Sequence, residues 1–251
     1  MNNNVLEIKE LCKTYYTNLG CVEALKNVNL EVKKGEILGV IGNSGCGKST
    51  LLSILAKLDK YTSGEIKSLK KDYVVGYMLQ NDALFPWLNI LDNATLGLKI
   101  KGIKTKENID YTKKLLENYG LKDFMYKYPS NLSGGMKQRV ALVRTLAIKP
   151  DILLLDEPFS KLDLITRLDI SNDVYKIIKQ MGITTIIISH DIAECISLCD
   201  RVAVMSKRPG TIKNIHKINL LNKTIPSKNR TDEKFYYYYD ILWKEIDKWM
   251  S

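Results

Sequence analysis

Between residues 42 and 50 the sequence reads Gly42-Asn43-Ser44-Gly45-Cys46-Gly47-Lys48-Ser49-Thr50. A strand-like apolar run (residues 37–41) precedes this loop, and a helix-like run (residues 51–56) follows it. In that order of strand, loop and helix, the pattern G-x-x-x-x-G-K-[ST] predicts a cradle for phosphate, because glycines let backbone amides approach an anion at a helix N-terminus. We therefore expect a nucleotide site in which Lys48 reaches the β- and γ-phosphates and Ser49 holds Mg²⁺.

The composition is that of an ordinary globular protein. Of the 251 residues, 45% are hydrophobic and 26% charged, which suits one large domain or a domain with an inserted lobe. The chain contains no uninterrupted apolar run of 18 residues, and no basic region followed by an apolar one stands at its start. We therefore expect neither a membrane span nor a signal peptide, and we expect the chain to stay in the cytoplasm.

Neither the cysteines nor the positive charge indicates a dedicated site. The five cysteines are scattered, so we expect free thiols, although the spacing of Cys195 and Cys199 would place those two on one helix face. The net charge of +10 is spread along the whole chain. This distribution favours a solvated surface, and we expect no nucleic-acid partner.

Two runs of alternating apolar and polar residues, 5–10 and 22–32, predict half-buried strands. Tyr15 and Tyr16 lie between these runs. An aromatic ring at a strand end is a platform on which an adenine base can stack, but a tyrosine there packs on its neighbours just as readily. From the residues alone, both interpretations and both tyrosines remain open.

Residues 89–148 carry apolar side chains at three- and four-residue steps, which predicts a helical lobe inserted in an α/β domain. Within this segment, Ser133, Gly134 and Gly135 stand at the predicted start of a helix. Serine is a residue that caps helices, and the two glycines leave the first-turn amides uncovered. The sequence therefore predicts a second anion-binding helix start, with no phosphate partner among its sequence neighbours.

Charged side chains follow two further predicted strands. A continuous apolar run before Asp156 and Glu157 is typical of a central parallel strand, and a β-branched run (residues 183–189) leads to His190. Open α/β sheets bind ligands at the carboxyl ends of such strands. We expect Asp156 to hold Mg²⁺, Glu157 to orient or deprotonate the attacking water, and His190 to contact the γ-phosphate. The alternatives are a solvated acidic turn and a structural histidine.

Aromatic residues mark two more segments. Phe85 and Trp87 flank a proline that argues against a regular element, and they form either a docking surface or part of a local core. Residues 225–230 are expected to be a polar linker. Residues 232–250 are expected to be an amphipathic helix whose aromatic side chains pack against the domain, namely Phe235, Tyr236, Tyr237, Tyr238, Tyr239, Trp243 and Trp249.

The motifs, taken together in their order, resemble the ATP-binding subunit of ABC transporters over about residues 5–218. They are the phosphate loop, Gln80, Leu132-Ser133-Gly134-Gly135, Asp156-Glu157, Asp163 and His190. The resemblance implies an α/β fold, a P-loop NTPase core with a mostly parallel sheet, an antiparallel β subdomain and an inserted helical subdomain. It implies an ABC ATPase domain at residues 1–230, with the helical subdomain at about 89–148, and a C-terminal amphipathic helix at 231–251.

The resemblance also implies how the site works. Two subunits form a head-to-tail homodimer around ATP and Mg²⁺, and the phosphate loop of one chain shares each γ-phosphate with the Ser133-Gly134-Gly135 helix start of the other. Glu157 is by resemblance the catalytic base, and His190 stabilises the γ-phosphate. Gln80 senses Mg²⁺ and water, and Asp163 links the two sites.

A narrower group is indicated as well. Residues 80–88 and 206–210 are similar to the corresponding segments of the nitrate, sulfonate and taurine importers. In that family the segment after Gln80 receives a membrane permease, which favours the docking interpretation of Phe85 and Trp87, and Tyr15 matches the adenine-stacking aromatic better than Tyr16. The implied partners are an integral membrane permease and an extracellular or periplasmic solute-binding protein. The implied location is peripheral, at the cytoplasmic face of the cell membrane.

Other functions fit the residues less well. An ABC-type ATPase of DNA repair or chromosome maintenance would carry a long coiled coil between the phosphate loop and Leu132, where the sequence has no heptad run. A translation-associated ATPase would carry two such domains, and a small-molecule phosphotransferase would leave the Leu-Ser-Gly-Gly motif unexplained. An importer of a different solute stays open, because the solute pocket of such transporters lies on other chains, and an exporter stays open, because the direction of transport rests on the resemblance alone.

Overall fold

The computed structural model describes residues 4–18, 20–160 and 162–248. Its strands are β1 Asn4–Thr17, β2 Gly20–Lys33, β3 Ile37–Ile41, β4 Ser63–Ser68, β5 Val75–Met78, β6 Ile152–Asp156, β7 Thr184–Ile188, β8 Arg201–Met205 and β9 Ile212–Lys217. Its α-helices are α1 Lys48–Leu55, α2 Ile90–Ile100, α3 Lys106–Asn118, α4 Gly134–Leu146, α5 Leu164–Met181, α6 Ile192–Leu198, α7 Pro226–Asn229 and α8 Phe235–Lys248. Of the helices in these ranges, none combines the length and the apolar character needed to cross a membrane.

Within the described residues the strands form two sheets. The smaller sheet is antiparallel with the order β2-β1-β4, and the larger has the order β5-β6-β7-β3-β8-β9. The larger sheet is parallel except for its edge pair, β8 and β9. Strands β3, β6 and β7 are buried along their whole length, as expected of central strands covered on both faces. The predicted P-loop NTPase fold is thereby confirmed.

The register of the larger sheet brings three predicted site segments to one edge. Val40 of β3 pairs with Ile188 of β7, and Ile188 pairs with Asp156 of β6. The amide of Glu157 extends this pairing by donating to the carbonyl oxygen of Ile188 at 2.9 Å. The chain leaves all three strands at the same edge, so the phosphate loop, the two acidic residues and His190 emerge side by side.

Helices α2, α3 and α4 occupy the segment for which the apolar spacing predicts a helical lobe. Each begins with a side-chain cap, because Asn89, Thr105 and Ser133 accept a hydrogen bond from the amide three residues further on. α2 and α4 lie close together where α2 carries Gly97, since a Cβ on that residue would lie 3.9 Å from the carbonyl oxygen of Arg144 in α4 and 2.9 Å from Cγ2 of Ile148, which follows α4. The division of the chain into domains stays a prediction.

The expectation of a polar linker at residues 225–230 is wrong. Pro226–Asn229 form helix α7, and Asn229 is only 1% exposed. The side-chain amide of Asn229 donates to the carbonyl oxygens of Ser197 (2.7 Å) and Thr224 (3.1 Å). Proline at the first helical position favours a helix start, and the buried amide supplies hydrogen bonds that the polar composition conceals.

Helix α8 is amphipathic, with Phe235 and Leu242 buried, and Glu245 holds it to β9 through a 2.9 Å contact with His216 Nε2. The expectation that its aromatic side chains pack inward is right for Phe235 and wrong for Tyr236 and Trp243, which are 78% and 53% exposed. A helix packed on one face buries only one stripe of side chains, so consecutive aromatics cannot all turn inward. The helix begins at Phe235 rather than at Asp232 as expected, and Trp249 and Met250 lie outside the described ranges.

Candidate nucleotide-binding site

The loop between β3 and α1 is shaped by glycines and by a buried lysine. Gly45 and Gly47 adopt positive φ angles of 73° and 110°, and a Cβ on Gly47 would lie 2.7 Å from a carbonyl oxygen of β2. Lys48 folds back across the loop and donates to the carbonyl oxygens of Gly42 (2.7 Å) and Asn43 (2.8 Å). Because the N-cap of α1 is Gly47, no side chain at that position competes with an anion for the first-turn amides.

Asp156, at the end of β6, faces the start of α1. Its carboxylate accepts hydrogen bonds of 3.3 Å from the hydroxyls of Ser49 and Tyr77. Burial raises the pKa of Asp156, and the hydrogen bonds from Ser49 and Tyr77 oppose that shift. Burial, together with the Asp156 charge, raises the pKa of Tyr77 to about 12. A carboxylate and a hydroxyl in contact are the oxygen ligands that Mg²⁺ prefers.

Two polar side chains meet the carboxylate of Glu157. Gln80 Nε2 donates to Glu157 Oε2 at 2.8 Å, and His190 Nδ1 lies 3.2 Å from the same oxygen. Glu157 has φ 46°, a left-handed conformation that few non-glycine residues adopt, and the Ser160 hydroxyl donates to its carbonyl oxygen at 3.1 Å. The Glu157 carboxylate, the Gln80 amide and the His190 imidazole therefore meet in the same space.

One cleft of about 660 Å³, which is a usual size for a small-molecule site, is lined by Lys48, Ser49, Glu157 and His190, whereas Asp156 contacts Ser49 without lining the described cleft. Besides residues of the phosphate loop, its walls contain Tyr15, Val22, Ala24, Gln80, Glu157, His190 and Arg208. Arg208 is absent from the sequence-based site. It reaches the cleft because Gly210, two residues later, packs against the Cys46 carbonyl and donates to the Ala24 carbonyl oxygen at 2.9 Å. No local sequence pattern signals these long-range contacts.

Of the two candidate tyrosines, Tyr15 lines the cleft and Tyr16 is 78% exposed outside it. The Tyr15 hydroxyl donates to Asp59 Oδ2 at 2.7 Å, and Lys13 Nζ lies 4.5 Å from the centre of its ring. Lys13 also pairs with Asp59 at 2.7 Å. The ring of Tyr15 is therefore held in place by two residues that the sequence analysis does not single out.

Ser133, Gly134 and Gly135 lie at the start of α4 and do not line the cleft of their own chain, as far as the structure describes it. A Cβ on Gly134 would meet no described atom within 4 Å, whereas one on Gly135 would lie 2.8 Å from Thr166 Cγ2 on α5. Asp163 caps α5 by accepting from the Thr166 amide at 3.1 Å, and that hydrogen bond lowers the pKa of its carboxyl. This second helix start is open to solvent.

Phe85 and Trp87 form an exposed aromatic pair in the segment after β5. Their ring centres lie 5.1 Å apart, and the side chains are 37% and 69% exposed. The backbone beneath them is fixed, because the buried Asn93 accepts from the Phe85 amide at 2.8 Å and Arg144 donates to the Ala83 carbonyl oxygen at 2.8 Å. The local-core interpretation is therefore wrong for Trp87.

A phosphate loop beside an acidic strand end, on a mostly parallel sheet, defines a P-loop NTPase. The sequence model of the ABC transporter family matches residues 25–160 of this chain. The chain belongs to the ABC transporter family, as the order of its motifs predicts.

Comparison with known proteins indicates which members of the ABC transporter family this chain resembles. The chain is similar to the nitrate import ATP-binding protein NrtD of Synechocystis sp. (40% identity over 246 residues, 94% of this chain and 92% of that one). It is similar to the aliphatic sulfonates import ATP-binding protein SsuB of Bacillus anthracis (39% over 235 residues, 92% and 91%) and to the taurine import ATP-binding protein TauB of Ruegeria pomeroyi (42% over 206 residues, 80% and 77%). The predicted resemblance to this importer group is confirmed.

The fold is also shared with a solved structure. The ATP-binding cassette MJ0796, in a dimeric post-hydrolysis state bound to ADP and Pi, superposes with a TM-score of 0.74 at 33% identity. The match covers 85% of this chain and 99% of the other.

Proposed function

We propose that this chain is the ATP-binding and ATP-hydrolysing subunit that energises an ABC importer of a small solute, of the nitrate, sulfonate or taurine type. The observation that carries the proposal is the meeting of Lys48, Glu157 and His190 in one cleft beside an uncapped helix start. Membership of the ABC transporter family and the names of the similar import proteins support ATP as the nucleotide and import as the direction.

Glu157 is the general base in this proposal. Its carboxylate contacts Gln80, which would orient the water, and His190, which would bind the γ-phosphate. Lys48 contributes binding, because it can exchange its two carbonyl partners for phosphate oxygens, to which charge-assisted hydrogen bonds are stronger. Tyr15 supplies the ring on which adenine stacks.

Ser49, Asp156 and Gln80 are the residues that would hold Mg²⁺. The hydroxyl of Ser49 and the carboxylate of Asp156 are already 3.3 Å apart, and Tyr77 fixes the second carboxylate oxygen. This donor set fits the ion because all the ligands are oxygens. When bound, the ion neutralises the charge that develops on the phosphates.

A homodimer completes the site in this proposal. The helix start at Ser133, Gly134 and Gly135 is the proposed second anion site, and it does not line the described cleft of its own chain, so a second copy would be needed to bring it to a γ-phosphate. The dimeric state of the similar cassette supports this arrangement. Asp163 caps α5 through the amide of Thr166, and Thr166 lies against Gly135 of α4. Asp163 would then lie near the link between the two sites.

Phe85 and Trp87 are the proposed contact with an integral membrane permease. They are exposed, they stand on a backbone fixed by Asn93 and Arg144, and the same segment begins with Gln80 in the cleft. A movement at Gln80 would therefore reach the aromatic pair along a short stretch of the chain. The chain would act at the cytoplasmic face of the cell membrane, with a solute-binding protein on the other side.

The first test is Mg²⁺-dependent ATP turnover by the purified chain. Lys48→Ala should abolish it, whereas Lys114→Ala on the exposed face of α3 should not. With the permease in vesicles, turnover should rise when the binding protein is loaded with nitrate, an aliphatic sulfonate or taurine. Equal turnover by Lys48→Ala would contradict the proposed site, and stimulation by a solute on the cytoplasmic side would indicate an exporter.

A further inference from the structure

A buried carboxyl lies directly behind His190. Glu194, in the first turn of α6, is 5% exposed, and its Oε2 accepts a hydrogen bond of 2.8 Å from the Ser189 hydroxyl. The Ser189 oxygen in turn accepts from the amide of Asp191 at 2.9 Å. Ser189 and Asp191 are the two residues on either side of His190. The carboxyl of Glu194 is therefore linked to both ends of the turn that carries the imidazole.

The groups around this carboxyl form an incompletely paired cluster. Asp191 caps α6 by accepting from the Glu194 amide at 3.1 Å, and it pairs with Arg167 of α5 at 3.3 Å. Within the described residues, Glu194 Oε1 and the Nε atoms of Arg167 and Arg230 are buried without hydrogen-bond partners. Native proteins contain few such atoms, so three of them next to the turn at His190 need a physical reason.

The Glu194 carboxyl lies in surroundings that favour its neutral form. Burial raises its pKa to about 8, the negative charge of Asp191 adds to the rise, and the Ser189 hydrogen bond and the charges of Arg167 and Arg230 oppose it. Cys195, the next residue on the same helix, is a further titratable group near it, since the charge of Glu194 contributes to the raised pKa of the Cys195 thiol. A neutral acid needs no counter-ion here, whereas an ionised one would attract Arg167 away from Asp191 and disturb the cap beside His190.

We propose that Glu194, as a neutral acid, is a positioning residue that holds the turn bearing His190 against the nucleotide cleft. The inference rests on the proposed contact between His190 and the γ-phosphate. Glu194 is buried and does not line the nucleotide cleft, so its loss should lower kcat and leave the KM for ATP almost unchanged, because Lys48 and Tyr15 are the residues proposed to carry most of the nucleotide binding. Its ionisation should produce a fall in kcat at alkaline pH.

The test is steady-state ATP turnover by the full chain with Mg²⁺, measured across roughly pH 6 to 9, which brackets the pKa of about 8. Glu194→Gln has the shape of the neutral acid and no proton to lose. It should keep kcat within about twofold at neutral pH and lack the alkaline fall that the parent chain shows. Glu194→Ala should lower kcat about ten- to a hundredfold, the range expected when a catalytic group shifts slightly, with KM within about twofold.

Ser189→Ala is a second variant that tests the positioning role of Glu194. It removes the hydroxyl that joins Glu194 to the Asp191 amide while leaving the helix sequence intact, and it should lower kcat without changing the KM. Melting temperatures, measured for every variant, separate misfolding from misplacement of His190. Glu194→Gln is the more informative variant, because its melting temperature should exceed that of the parent chain increasingly as the pH rises towards 8.

Three results would overturn the inference. They are a parent-like kcat in Glu194→Ala, an alkaline fall that persists in Glu194→Gln, and a loss of kcat in Glu194→Gln as large as that in Glu194→Ala. His190→Ala separates this failure from that of the proposed site. Full turnover in His190→Ala would reject the role of His190 and, with it, that of Glu194, whereas an inactive His190→Ala beside an active Glu194→Ala would reject Glu194 alone.

Discussion

Gln80 donates a hydrogen bond of 2.8 Å to the carboxylate of Glu157, although the two residues are 77 positions apart in the chain. The same oxygen lies 3.2 Å from His190 Nδ1. One carboxylate oxygen thus contacts both neighbours, which fixes the side chain at the wall of the cleft. An amide in place of this carboxylate would keep its shape and lose its basicity, so the chemical role of Glu157 can be separated from its structural one.

Glu157→Gln should therefore bind ATP and hydrolyse it about 10²–10⁴-fold more slowly, which is the usual contribution of a general base. The phosphate loop is unchanged in this variant, so ATP should accumulate in the site and hold two chains together. Phosphate release measures the turnover, and size-exclusion chromatography with light scattering measures the mass in the presence of ATP.

Glu117→Gln is the matched control, because it makes the same chemical change on an exposed position of α3. It should keep parent-like turnover and stay monomeric under the same conditions. Full turnover in Glu157→Gln would remove Glu157 from the role of base. A slow variant that stays monomeric with ATP would leave the base in place and contradict the proposed dimer.

The residues that sequence alone places at the cleft share one property, which is that each follows a recognisable strand or begins a recognisable helix. Lys48, Asp156 and His190 are of this kind, and parallel strands must deliver them to one edge. Asp59 and Arg208 have no such mark, because each reaches the site through contacts with a distant part of the chain. To predict residues such as Asp59 and Arg208, one must know how the two sheets pack.

Tyr15→Ala should weaken ATP binding, because stacking of a base on an aromatic ring contributes about 1–3 kcal/mol. That range corresponds to about a 5- to 150-fold increase in Kd. Tyr15→Phe keeps the ring and loses only the hydrogen bond to Asp59, so most of the affinity should remain. Isothermal titration calorimetry with ATP measures each constant.

The neighbouring Tyr16 is the control for this series, since it is 78% exposed and lies outside the cleft. Tyr16→Ala should bind ATP as the parent chain does. If Tyr16→Ala loses affinity and Tyr15→Ala does not, the stacking role belongs to Tyr16. If neither variant loses affinity, adenine does not stack on this strand end.

Gly134→Asp should abolish turnover without weakening the binding of ATP to the single chain. A carboxylate at this exposed helix start would repel the γ-phosphate held by a partner chain, because the two negative charges would meet where the proposal places them together. The loss should appear in the mass of the complex formed with ATP, measured by light scattering, and in phosphate release.

Two alanine variants control for the fold. Gly134→Ala should fold as the parent chain does, because its Cβ would meet no described atom within 4 Å. Gly135→Ala should cost about 1–3 kcal/mol in the free energy of unfolding, because its Cβ would lie 2.8 Å from Thr166 Cγ2. A Gly134→Asp chain that turns over ATP at the parent rate would show that this helix start never approaches a nucleotide.

Asp200 lies at the end of β3 that is opposite the cleft. Its side chain contacts residues from three parts of the chain. Its carboxylate accepts hydrogen bonds from the Ile37 amide (2.9 Å), Lys179 Nζ (2.7 Å) and Lys223 Nζ (2.9 Å). Burial by itself would raise the pKa of this carboxyl, but the charge of Lys223 and the hydrogen bonds from Lys179 and Ile37 outweigh it, and the pKa is lowered.

Asp200→Asn should therefore lower the free energy of unfolding by about 1–3 kcal/mol at neutral pH, the range for hydrogen bonds to a charged group. A carboxyl whose pKa is lowered by folding stabilises the protein above its unfolded pKa of about 4, and this stabilisation disappears as the pH falls through the lower folded value. The difference between the parent chain and Asp200→Asn should thus shrink below about pH 4, as measured by urea unfolding. Asp110→Asn, at an exposed position of α3, should show no such difference at any pH. If the free energy of unfolding of Asp200→Asn stays below that of the parent chain by the same amount down to low pH, the shape of the side chain rather than its charge holds these three parts of the chain together.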